Sequence, residues 1–131
     1  MKNQKTVLIV EDERPLAVAI KAKMEKKGFT VVLGRSVQQA LSYLEEGVKI
    51  DVIWLDHYLV GVKNGLDLVA TIKQEKSKFR KIPIYVVSNT ATPDKIKSYL
   101  RLGVNKYYTK ADTKLEDIIA DINEFLNSKT I

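Results

Sequence analysis

A chain of 131 residues has room for one domain with a full hydrophobic core, and its 45% hydrophobic and 29% charged content is that of an ordinary globule. The absence of cysteine excludes disulfides, thiolate nucleophiles and thiolate zinc sites; the apolar run at 7–10 is too short for a signal-peptide core, and nothing approaches a membrane span. The formal charge of +6 comes from lysines and arginines interleaved with acids, the pattern of solvated helix faces, so the expectation is a cytoplasmic protein without direct nucleic-acid or membrane binding.

Apolar runs alternate with amphipathic stretches along the chain. The first run, 7–10, ends on Glu11 and Asp12. Pro15 then opens a helix with Leu16, Ala17, Ile20 and Met24 inward, and Gly28 stops it. A second strand at 29–33 is followed by Gly34 and Arg35, with no functional candidate, as suits a sheet edge. Ser36 and Gln39 form a capping-box pattern opening a helix that buries Ala40, Leu41 and Leu44 and closes at Gly47. Ile50 leads into the run 52–55, which ends on Asp56. Asn64 and Gly65 start a third helix carrying Leu66, Val69 and Ile72. The run 84–87 ends on Ser88; Thr92 and Pro93 then open a fourth helix that Gly103 terminates. The run 107–109 ends on Lys110, and Asp112 caps a last helix in which Leu115, Ile118, Ile119, Ile122, Phe125 and Leu126 keep helical spacing.

Runs this continuously apolar need helices on both faces, which means a parallel sheet. The fold class is therefore α/β: a single domain of five βα units in a doubly wound, flavodoxin-like arrangement with strand order 2-1-3-4-5. In that order the carboxyl ends of the strands converge on one edge and gather Glu11, Asp12, Asp56, Ser88 and Lys110. Carboxylates a few ångströms apart repel by about 4 kcal/mol per pair at an effective dielectric near 20, and one lysine offsets only part of that. A hard dication completes the balance, and such a pocket suits a phosphoryl group.

The segments VLIVED at 7–12, VIWLD at 52–56, YVVSN at 85–89 and YYTK at 107–110 resemble the receiver domain of two-component response regulators, and the resemblance covers residues 6–126 of a domain spanning 1–131. It implies that Asp56 is the phosphoacceptor, fed by a sensor histidine kinase or a histidine phosphotransfer protein. Glu11 and Asp12 would be the acidic pair that holds Mg2+ or Mn2+ with Asp56 and the backbone carbonyl of Tyr58. Ser88 and Lys110 would contact the phosphoryl group, Ser88 and Tyr107 would form the switch, and Tyr58, Asn89 and Thr90 would flank the phosphoryl site. A receiver of this kind is a signalling domain rather than an enzyme, although it promotes its own phosphoryl transfer and dephosphorylation. The resemblance further implies output to a downstream protein, or to a second receiver copy, through the face of helix four, strand five and helix five, which carries Lys95, Lys97, Arg101, Lys106 and Lys114. An end five residues past Leu126 fits either a stand-alone receiver or one separated from an output domain.

Other readings meet obstacles at named positions. A haloacid-dehalogenase-like hydrolase needs a second aspartate where Arg14 stands, and a Toprim-like nuclease needs an Asp-x-Asp pair where His57 and Tyr58 follow Asp56. The stronger rival is a receiver-like interaction module that works without phosphorylation. Three departures from the family bear on it: Ala111 follows Lys110 where the family usually has a proline in a cis peptide, the loop after Asp56 runs one residue longer, and Asn89 replaces a small residue. His57, a lone histidine, is assigned no role, while Tyr107 and Tyr108 alternate across the sheet with one in the core and the other exposed.

Overall fold

Strands with no polar alternation must be covered on both faces, and they are so covered in the computed structural model, which describes residues 4–89 and 92–128. Strands and helices alternate as β1 (Thr6–Val10), α1 (Arg14–Lys26), β2 (Thr30–Gly34), α2 (Val37–Glu45), β3 (Val52–Leu55), α3 (Gly65–Ile72), β4 (Ile84–Ser88), α4 (Pro93–Leu102), β5 (Lys106–Thr109) and α5 (Leu115–Ser128). All strand pairs are parallel and the order is β2-β1-β3-β4-β5, the flavodoxin-like order expected. β2, whose carboxyl end carries no functional candidate, lies at an edge.

The two-residue period of the strands divides the core in two. Leu8, Val10, Ile53, Leu55, Ile84 and Val86 face α2, α3 and α4, meeting Ala40, Leu44, Leu68, Val69, Ile72 and Tyr99. Val7, Ile9, Val52, Trp54, Tyr85 and Val87 face the other way and pack on Ile20 and Met24 of α1 and Ile118, Ile119 and Ile122 of α5. Tyr107 belongs to the first layer and Tyr108 to the second, so the alternation holds, although both rings are half-buried. Among the described residues no helix is long and apolar enough to cross a membrane.

Local signals set most helix ends. Asn64 and Asp67 form a reciprocal capping box (3.1 and 2.9 Å), and the Thr92 hydroxyl accepts from Lys95 N at 3.3 Å. Gly103 ends α4 at φ 103°, a left-handed position that glycine adopts without strain. Ser36 caps α2 through Gln39 N, but the Gln39 side chain bonds Arg35 N at 2.8 Å instead of the cap residue, so that box is only half formed. Asp112 is not the cap of α5. Its amide donates to Thr109 O in a turn, and the amides of Asp117 and Ile118 in the first turn of α5 donate to Lys114 O, because the chain spends residues 110–113 reversing direction after β5. Leu16 is half-buried beside the core, and in α3 the fully buried leucine is Leu68 while Leu66 is half-buried.

Candidate functional site

The backbone of the acidic pocket is fixed by continuation of the sheet. Glu11 N donates to Gly34 O and Asp56 N to Val10 O, both at 2.9 Å, so the first residue past β1 and past β3 stays in the ladder. On the other side Lys110 N donates to Ser88 O at 2.8 Å. The sheet thereby brings together the side chains of Glu11, Asp12, Asp56 and Lys110, and sets Ser88 at the carboxyl end of β4, the strand next to β3. The ligand-capable oxygens of Glu11, Asp12 and Asp56 lie within 4.8 Å of one another.

Lys110 Nζ sits 3.2 Å from Glu11 Oε1 and 3.5 Å from Asp56 Oδ2, its side chain only 15% exposed. Glu11 Oε2 also accepts from Glu13 N at 3.2 Å. Burial, then the neighbouring Asp56 charge, raises the Glu11 carboxyl from 4.5 to about 7 against the opposing pull of Lys110. Burial likewise raises Asp56, with Lys110 opposing it. Two buried carboxyls thus share one lysine, an arrangement that favours a proton or a cation between them. Two buried polar atoms here have no hydrogen-bond partner: Asp56 Oδ1 and Ser88 Oγ. Such groups cost about 1–3 kcal/mol each when left unsatisfied, so both atoms are open to a further partner.

The donors fit a hard divalent cation. They are all carboxylate oxygens, half-buried Asp12 keeps one side accessible, and Asp56 offers an oxygen with no other use. Tyr58 is half exposed, with its hydroxyl 2.9 Å from Lys95 Nζ and its ring 4.8 Å beneath that ammonium, so the loop after Asp56 is tied to the first turn of α4. Asn89 is exposed; Thr90 lies outside the described residues. The Lys110–Ala111 peptide is trans, like every peptide bond among the described residues.

Sequence reasoning missed a pair beside the pocket. His57 is buried and its Nδ1 lies 2.6 Å from the hydroxyl of Tyr99, a fully buried residue of α4. Burial lowers the imidazole and raises the phenol, so the bond joins two neutral groups. Gly65 makes room for it: a Cβ there would stand 2.6 Å from the Tyr99 hydroxyl and 2.7 Å from Asp56 O. The available signal was Tyr99 itself, an inward aromatic that needs a polar partner in a chain with one histidine.

Comparison with known proteins gives a consistent result. The profile of the response regulator receiver domain matches residues 7–123. The chain is 31% identical over 106 residues to the phosphate regulon transcriptional regulatory protein PhoB of Pseudomonas aeruginosa, covering 81% of this chain and 45% of that protein. It is 28% identical over 120 residues to the uncharacterized transcriptional regulatory protein YkoG of Bacillus subtilis, covering 92% and 50% respectively. The chain therefore spans about half the length of these curated relatives. Among solved structures, the phosphorylated cyanobacterial phytochrome response regulator RcpA superposes with a TM-score of 0.83 at 28% identity, over 98% of each chain. A Mn(2+)-bound response regulator gives 0.79 at 25% identity, over 93% of this chain and 94% of the other.

Proposed function

The chain belongs to the response regulator receiver domain family, the phosphoacceptor signalling domain of two-component systems, and on that premise we propose that Asp56 accepts the phosphoryl group of a sensor histidine kinase or a histidine phosphotransfer protein. The observation that carries the assignment is the buried, unpartnered Asp56 Oδ1 beside Glu11, Asp12 and Lys110, with the equally unpartnered Ser88 Oγ at the end of the adjacent strand β4. The carboxylate is the nucleophile: a P–O bond forms on Asp56 as the P–N bond of the phosphohistidine donor breaks, and the departing imidazole keeps the electron pair and takes up a proton. Lys110, already between Glu11 and Asp56, stays paired with the oxygen charge that arrives, and Ser88 Oγ has its hydroxyl proton free to donate to a phosphoryl oxygen. Later attack of water on phosphorus returns the carboxylate and releases inorganic phosphate.

Glu11, Asp12, Asp56 and the Tyr58 carbonyl would hold Mg2+ or Mn2+, which when bound supplies positive charge against the transferring oxygens. A solved relative described as Mn(2+)-bound supports this reading, as does one described as phosphorylated. Tyr58, Asn89 and Thr90 are assigned to the flank of the phosphoryl group, with Tyr58 shielding it from water. Ser88 and Tyr107 are assigned to the switch.

Receiver domains interact with histidine kinases and with downstream effectors. For this chain the output face is assigned to α4, β5 and α5. Lys97, Arg101, Lys114 and Leu100 are all exposed there, a mixture that suits an acidic protein surface or a second receiver copy. Two of its expected cations are partly engaged, Lys106 with Asp121 at 3.5 Å and Lys95 with Tyr58. The test is a titration with magnesium and beryllofluoride, a phosphoryl analogue, followed by NMR. Saturable shifts at residues around Asp56, Ser88 and Lys110 that require magnesium are expected; a spectrum indifferent to the analogue would leave only a phosphorylation-independent interaction module.

A further inference from the structure

A line of aromatic rings leads away from the acceptor. Tyr58 and His57 meet at 4.7 Å between centroids, His57 and Tyr99 at 5.7 Å, and Tyr99 and Tyr107 at 5.6 Å. It starts on the two residues that follow Asp56, crosses the buried flank of α4, and ends on β5. Only one link in it is a directional bond, the 2.6 Å contact between His57 Nδ1 and the Tyr99 hydroxyl.

We propose that Tyr99 is a positioning residue for the switch, and that its hydroxyl bond to His57 couples the loop carrying the acceptor to Tyr107 and the α4–β5 face. This rests on Asp56 being the acceptor. A group attached to Asp56 acts first on the peptide that follows it, and His57 is that peptide's residue. His57 cannot shift alone: its carbonyl accepts from Gly65 N at 2.8 Å and its ring is gripped by Tyr99. Tyr99 is wholly buried, and packed interiors move between discrete arrangements rather than deforming continuously, so displacement of its hydroxyl moves the ring against Tyr107. Gly65 contributes by absence, since any side chain there would separate Tyr99 from the Asp56 backbone. Stacking contacts alone tolerate sliding; the hydrogen bond fixes which atom of α4 follows the loop.

The experiment compares wild type with Tyr99→Phe, His57→Leu and His57→Asn by NMR, with magnesium and beryllofluoride. Amides at 56–65 report that the analogue is bound, and amides of α4 and β5 report what is transmitted. Tyr99→Phe keeps the buried ring and removes one oxygen, and His57→Leu removes the other partner, so either one alone keeps the test valid if its companion folds poorly. In both, the loop should still respond while the equilibrium constant between unswitched and switched states, read at α4 and Tyr107, falls about fivefold, the equivalent of one ordinary hydrogen bond. His57→Asn, which keeps a hydrogen-bonding atom near the Nδ1 position, should restore transmission. Full-size shifts at Tyr107 in Tyr99→Phe would overturn the proposal, because a hydroxyl with only a structural role lowers stability and leaves transmission intact. A wild type whose loop responds without Tyr107 would also overturn it while sparing the acceptor assignment; a wild type with no loop response would remove both.

Discussion

Two aspartates bracket the same strand, Asp51 just before β3 and Asp56 just after it, and their surroundings differ as the two edges of the sheet differ. At the amino edge polar side chains complete the backbone. Asp51 Oδ2 accepts from Thr6 N at 2.8 Å, Asn105 Oδ1 accepts from Ile84 N at 3.2 Å, and Lys73 Nζ donates to Arg80 O and Ile82 O at 2.7 and 2.8 Å. At the carboxyl edge the same kinds of groups crowd together with Asp56 Oδ1 and Ser88 Oγ unpartnered and Glu11 held near neutrality. One edge uses polar groups to close the fold, and the other leaves two of them unpartnered, as the proposed binding of a cation and a phosphoryl group requires.

The contrast should show first in metal affinity. Asp12→Ala is expected to weaken magnesium binding by at least about tenfold in a calorimetric titration, whereas Asp51→Asn, which also removes an acidic charge but at the opposite edge, should leave it within about twofold. Equal losses in the two variants would mean that general charge, not the pocket, holds the ion.

A pH series sharpens the comparison. The folded Glu11 carboxyl is raised from 4.5 to about 7, so over that window the folded state binds more protons than the unfolded state. The metal-free protein should therefore lose stability in urea melts as pH climbs through the window, and magnesium affinity should rise until about pH 7 and then level. Glu11→Gln should flatten both slopes; a wild type that grows more stable across the same window would contradict the electrostatic account.

Smaller effects follow from the surroundings of each edge. Tyr58→Asn frees the loop from Lys95 and removes a shield, so the phosphorylated protein should lose its label a few-fold faster, and a slower loss would show that the tyrosine does not exclude water. Asp51→Ala strands the Thr6 amide and should cost about 1–2 kcal/mol in a denaturant melt without changing the rate of labelling.

Much of this was legible in sequence because it is local. Continuous apolar runs fixed the number of strands and the burial of the three central ones, and Asn64, Thr92 and Gly103 mark helix ends through chemistry contained within a turn. The pocket was legible too, because parallel strands in the 2-1-3-4-5 order bring the residue after each strand to one edge. What escaped depends on geometry beyond the turn. Asp112 resembles a cap, but the reversal after Lys110 delays α5 to Leu115. The Gln39 side chain reaches the residue before its expected partner. His57 and Tyr99 stand 42 positions apart, and no periodicity links a single histidine to one tyrosine of a later helix.

The central claim is that the carboxyl edge holds an exchangeable acceptor and that Asp56 is it. The most direct measurement is labelling by a small phosphodonor such as acetyl phosphate, with the modified residue located by mass spectrometry, in wild type, Asp56→Asn and Asp51→Asn, each with magnesium and with a chelator. The account predicts a single magnesium-dependent modification on Asp56 in wild type and Asp51→Asn, and none in a folded Asp56→Asn. Undiminished labelling of Asp56→Asn, or labelling of wild type that ignores the chelator, would contradict it.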